Sequence, residues 1–294
     1  METWIVFTLL AVVMQSVRTA GQKQIARKLS IEATTLVRFL FGLPFAGLYF
    51  FLLSAGSEAV LNPGREFFLS ASGAGLAQIG ATLCLVKALT IRNFAVGTAL
   101  AKTEAIMTAL LGTLFFSATL SVLGYVSVVV GVMGLLVASN WRFSWQDLFN
   151  NESIKFGLGA GFGFALASLW IRDASLSLQA PLILSAATVL IYMVAFQALL
   201  CLLWVLSTDH QQLRLVAANL PASAFIGFSS VAGSIGWFTA MSLQEAALVK
   251  TLGQLEFVVT LGITYLYFGE RINAREYLGI LLVTISIVLL LWAT

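Results

Sequence analysis

The chain is 294 residues long, 60% hydrophobic and only 10% charged, with a formal net charge of +3. A soluble domain is roughly 45–50% apolar and about 25% charged, so a soluble fold of this size would expose large apolar patches and aggregate. The bilayer is the solvent that suits this composition, and Lys and Arg scattered over many loops exclude a nucleic-acid footprint.

Apolar runs bounded by charged or turn residues fall near 3–21, 33–54, 67–88, 93–114, 119–139, 154–172, 179–206, 220–242, 246–268 and 275–293. They are continuously apolar rather than alternating, which predicts helices and not barrel strands. Ten spans of roughly 20 residues fill the chain and leave only short loops. No basic residue precedes the first run (Met1-Glu2-Thr3-Trp4) and no convincing cleavage site follows it, so it reads as a retained first helix. A basic stretch then runs from Arg18 through Lys23 and Arg27 to Lys28, against the shorter Arg172-Asp173 at the matching place in the second half. Cys84 and Cys201 lie inside apolar runs and are too few for a disulfide framework. The longest connections lie near 140–153, which divides the chain almost in half, and near 207–219, which holds Asp209, His210 and Arg214. Trp4, Trp141, Trp145 and Trp292 fall near helix ends and suit an aromatic belt. The run Gly157 to Gly163 is not a nucleotide loop, because no strand precedes it and no Lys-Ser/Thr pair accompanies it. Its Gly157/Gly161 and Gly159/Gly163 pairs are small-xxx-small spacings that bring helices close. The sequence holds no Cys/His cluster at ligand spacing and no nucleophile elbow, so neither metal, cofactor nor enzymatic chemistry is expected.

The halves resemble each other. In the register that sets Glu104 on Glu256, Ala88 meets Ala240, Thr108 meets Thr260 and Tyr125 meets Tyr277, without a gap. Apolar matches are cheap in such a chain, but paired glutamates, threonines and tyrosines are not. The fold expected is an all-α membrane protein of about ten transmembrane helices in two five-helix repeats, residues 1–145 and 146–294. Five is odd, so the second copy inserts upside down, an inverted-topology plan recurrent among secondary transporters.

The end of the chain reads Leu255-Glu256-Phe257-Val258-Val259-Thr260, then Gly269-Glu270-Arg271-Ile272. This resembles the EamA-type drug/metabolite transporter superfamily, whose ninth helix carries a Leu-Glu-Pro-Val-like stretch and ends in Gly-Glu-Arg-Leu. Phe257 stands where that proline is usual. In the first half Glu104-Ala105 takes the equivalent place, and Ser117-Ala118 replaces Gly-Glu. Arg38, within Leu36-Val37-Arg38-Phe39, also fits the pattern. The resemblance implies a ten-helix carrier of a metabolite or drug-like compound.

A charge near the bilayer midplane costs roughly 2.5–3.5 kcal/mol on insertion scales, so one that persists faces a cavity, a partner or water. The candidates for binding substrate or a proton are Glu104, Glu256, Lys102, Arg38 and Lys250, with Gln15, Gln78 and Gln254 weaker. Glu104 and Glu256 are repeat-equivalent, and a pseudo-two-fold axis would bring both to the centre. A carboxylate in apolar surroundings favours its protonated form, so such a pair can hold a proton or a cationic group in turn; holding only a neighbouring Lys is the structural alternative. Lys102 and Glu104 stand two apart and do not face each other, so each needs a different partner. Lys250 is read as snorkelling to the interface, and Arg38 as binding a substrate carboxylate or pairing with Glu104 or Glu256. Trp170 and Trp237 are the aromatic cavity candidates, with packing as the bland alternative.

The function expected is alternating-access transport of a small metabolite, amino acid or drug-like compound in the cell membrane, by a monomer or weak homo-oligomer, with proton coupling as a candidate mode. A non-transporting scaffold subunit and a membrane-embedded enzyme are the rivals. Orientation is in conflict. Arg18, Lys23, Arg27, Lys28, Lys87 and others crowd the loops after odd-numbered helices, against Arg65 and Arg172 opposite. The positive-inside rule then puts both termini outside, whereas the resemblance implies both inside.

Overall fold

The computed structural model describes residues 2–59, 61–90, 100–139, 152–268 and 273–293. The expected stretch Gly269 to Ile272, the 140–151 connection with Trp141 and Trp145, and the start of the fourth apolar run lie outside them. The described residues form thirteen helices. The first half holds α1 (Thr3–Ile25), α2 (Ile31–Leu40), α3 (Leu43–Ala55), α4 (Arg65–Thr90), α5 (Glu104–Phe115) and α6 (Val122–Ala138). The second holds α7 (Glu152–Ser177), α8 (Leu182–Thr208), α9 (Gln211–Ala218), α10 (Leu220–Leu243), α11 (Ala246–Leu252), α12 (Leu255–Phe268) and α13 (Ala274–Ala293). Among the described residues seven segments are long and apolar enough to cross a membrane: α1, α2–α3 together, α4, α7, α8, α10 and α13. Helices α5 and α6 are apolar but shorter, and the run expected at 246–268 is cut into α11 and α12 by a turn at 253–254. The connection expected near 207–219 contains the short helix α9.

Local chemistry explains several boundaries. Ser30 caps α2, its Oγ accepting from the Ala33 amide at 3.1 Å, and Ser121 caps α6 by accepting from Gly124 at 3.1 Å. In the repeat register Ser121 falls on Asn273. Asn273 caps α13: Oδ1 accepts from the Glu276 amide at 3.0 Å while Glu276 Oε2 accepts from the Asn273 amide at 2.7 Å. That reciprocal exchange is a capping box. Between α2 and α3 the chain breaks at Phe41-Gly42, with Pro44 in the first turn of α3. A proline there has no amide to offer the preceding turn.

Packing follows the repeat. The most extensive helix interfaces are α4 on α7, α6 on α13 and α1 on α10, all between halves. Exchanging the halves turns α1 on α10 into α7 on α4 and returns α6 on α13 to itself, as a pseudo-two-fold requires. Small residues make these approaches possible. A Cβ on Gly163 of α7 would meet Ala81 Cβ at 2.9 Å and the Ala77 carbonyl at 3.0 Å on α4; one on Gly134 of α6 would meet Leu282 Cβ of α13 at 2.8 Å. The Gly159 and Gly163 spacing therefore serves helix packing.

The distribution of polarity is that of a membrane protein. Val6, Leu48, Phe51, Leu69, Leu114 and Leu203 point outward, each more than half exposed, whereas Arg18, Gln22, Arg38, Glu104, Lys250, Gln254 and Glu256 are buried. Trp292 lies on the outer face at 77% exposure, but Trp4 is buried and does not belong to a belt.

Candidate substrate site

The buried charges gather where both halves break their fourth apolar segment. The chain turns at 102–103 before α5 and at 253–254 before α12. Glu104 is the first residue of α5, and Glu256 sits in the first turn of α12. The free amides and positive end of a helix macrodipole favour a carboxylate there. The break in α11–α12 needs no proline: Gly253 lies under the Trp237 ring, where a Cβ would collide.

The carboxylates are held crosswise. Glu104 of the first half lies 3.7 Å from Lys250 Nζ of the second, and Glu256 of the second half is ion-paired with Lys102 of the first. Lys102 and Glu104 thus do take different partners. Glu256 Oε2 also accepts from Gln15 Nε2 at 2.7 Å, and Gln15 Oε1 accepts from Trp237 Nε1 at 2.8 Å. Lys250 Nζ stands 4.3 Å from the centroid of the same Trp237 ring, a cation–π contact. One connected network therefore joins α1, the 102–103 turn, α5, α10, α11 and α12.

Beside it lies a cavity of about 20 Å³, lined by Gln15, Arg18, Arg38, Gln78, Trp237 and Lys250 among others, with Phe164, Ile171 and Met241 on its apolar side. A space of roughly 10–15 Å³ holds a single water, so in this conformation the cavity has room for one or two waters and not for a solute. Arg38 lies in the last turn of α2, where the negative end of the helix suits a cation, and donates from Nη1 to Thr82 Oγ1 at 2.7 Å. Gln78, one turn before Thr82 on α4, accepts from Gln197 Nε2 at 2.9 Å.

Several expectations change. Lys250 does not snorkel: its side chain is 8% exposed and turned inward, because Glu104 and the Trp237 ring receive it. Arg38 pairs with neither glutamate, because Lys102 and Lys250 already occupy them. Arg18 is no loop residue. It lies within α1, only 2% exposed, and lines the cavity; α1 runs to Ile25, past the predicted end. It drops out of the loop charge tally that bears on orientation. Gln254 faces away from the cavity, toward Gly131 of α6 and Ser286 of α13. Trp170 packs over Gly73 and against the edge of Phe116, 6.4 Å between centroids. Sequence reasoning missed Arg18 because it read a residue near the end of an apolar run as the start of a loop; the apolar and small residues that follow as far as Gly21 were the available signal.

The profile of the EamA-like transporter family matches residues 2–140 and again residues 151–292. The chain belongs to the EamA-like transporter family. It is a multi-pass membrane protein of transporter type, built from two EamA repeats, and its family implies a small-molecule substrate. No curated protein matches the chain in sequence. A solved structure described as "Crystal structure of protein" aligns over 99% of this chain and 97% of its own, with a TM-score of 0.77 at 14% identity. At that identity the likeness speaks for the fold.

Proposed function

We propose that this protein is a secondary carrier of a small metabolite, amino acid or drug-like compound, working by alternating access in the cell membrane. Its ten spans form two inverted five-helix repeats, residues 1–145 and 146–294, with the site between them. The observation that carries this reading is the crossed pairing of Glu104 with Lys250 and Glu256 with Lys102 beside a small polar-lined cavity. Each pair bridges the halves, so making or breaking it ties the charge state of the site to the position of one half against the other. Broken helices that present half-helix ends to a central site are a recurrent device of such carriers. A proton taken up by either carboxylate would release its lysine, which supplies a route for proton coupling.

The test is a growth screen of cells expressing wild type, Glu104→Gln at matched membrane abundance, or an empty vector, challenged with amino acids, metabolite analogues and cationic toxicants. Wild type is expected to change sensitivity to one compound class, and Glu104→Gln to lose that change. A library to which wild-type expression makes no difference would favour a non-transporting membrane subunit.

A further inference from the structure

We infer that the solute this site takes is an organic oxyanion, bound through Arg18 and Arg38. Four cations (Arg18, Arg38, Lys102 and Lys250) and two carboxylates, Glu104 and Glu256, lie in or beside the cavity. That is an excess of two positive charges. The lysines neutralise the glutamates pair by pair, which leaves neither carboxylate open to a cationic solute. Arg18 and Arg38 are 2% and 4% exposed and line the cavity. Glu256 and Glu104 act on Arg18 only at longer range; among the described residues no carboxylate comes within ion-pair distance of either arginine. Arg18 Nε has no hydrogen-bond partner, and Arg38 donates only to the neutral Thr82 hydroxyl. Buried guanidinium groups without a counter-ion are unstable in low dielectric. A pair of them aimed into one cavity matches the planar, bidentate geometry of a carboxylate or phosphate group. Phe164, Ile171 and Met241 line the same cavity and suit an apolar body on the solute.

This assignment rests on the carrier reading for its meaning as a substrate site, so binding and transport are read separately. Purified full-length protein is titrated in detergent with succinate, glycerol 3-phosphate, phenethylamine or choline, following the melting temperature. One or both oxyanions are expected to raise it saturably; which of the two does so separates a carboxylate site from a phosphate site. Arg18→Gln and Arg38→Gln are expected to abolish the response. Arg18→Lys and Arg38→Lys keep the charge, guard against misfolding, and are expected to weaken apparent affinity about tenfold by losing the bidentate fork. Failure of both oxyanions to shift wild type, or a shift that survives in both glutamine variants, overturns the assignment. Exchange of the labelled probes across proteoliposomes then judges the carrier. Oxyanion binding without exchange keeps the site and removes the carrier reading; exchange of choline or phenethylamine without oxyanion binding does the reverse.

Discussion

The second helices of the two halves are repeat equivalents and differ in nearly every respect that bears on the site. In the first half the segment is broken into α2 and α3, with Gly42 and Pro44 at the break and Arg38 just before it. In the second half α8 runs unbroken from Leu182 to Thr208, and the same register positions hold Val194, Phe196 and Leu190. The pattern recurs on the first helices, where Arg18 falls on Trp170, and at the fourth, where Lys102 falls on Gln254. Among the charged residues of the site only the glutamates keep their identity. The frame is thus symmetric where it holds carboxylates at helix starts and asymmetric where it supplies cations. Symmetry suffices to build two exchangeable halves; a solute with one charged end needs a site that is not symmetric.

Four substitutions break or sharpen that comparison, and the largest effect concerns the carboxylates. Glu256→Gln leaves Lys102 without its counter-ion and is expected to cost about 3 kcal/mol, in the lower range for a broken buried pair. Glu104→Gln is expected to cost about half as much, because Lys250 keeps the Trp237 ring and the pair is long at 3.7 Å. Melting of the two variants beside wild type decides it; equal losses would show that the halves hold their glutamates equivalently. Next, Gly42→Val copies Val194 into the break. Its Cβ would lie 2.8 Å from both the Arg38 carbonyl and Val231 Cγ2, so a loss of about 1–3 kcal/mol is expected from overpacking. A melting temperature that does not fall would mean the break tolerates the residue of the continuous helix. The smallest effect runs the other way. Ser117, after α5, holds φ 52° in the left-handed region, while the Ala118 amide donates to the Gly112 carbonyl at 3.0 Å. A left-handed residue just past the end of a helix is the position that favours glycine, and the register partner of Ser117 is Gly269. Ser117→Gly is expected to stabilise by about 1 kcal/mol, read as a small rise in melting temperature.

The glycine of the Gly-Glu-Arg-like stretch shows how far sequence reasoning reaches. Its place in the repeat was legible, but the conformation that gives the position its preference shows only in the backbone at Ser117. Gln15 ranked below the charged residues because it is neutral, yet it bridges Glu256 to Trp237 across 241 and 222 residues of chain. Lys250 read as an interface residue because its neighbours place it near a helix end, and no local pattern reveals a ring and a carboxylate waiting on other helices.

The sequence by itself determined the solvent, the helical class, the repeat register and the equivalence of Glu104 with Glu256. Those depend on each residue's own preference for lipid or water and on spacing along one chain. Tertiary structure alone decided that α1 carries Arg18 inward, that the second and fourth segments break, and that each glutamate takes a lysine from the opposite half, one of them 154 residues away. A buried charge settles on whichever counter-charge packing brings within about 4 Å. Which helices meet is fixed by small residues such as Gly134 and Gly163 on faces that only the assembled bundle brings together.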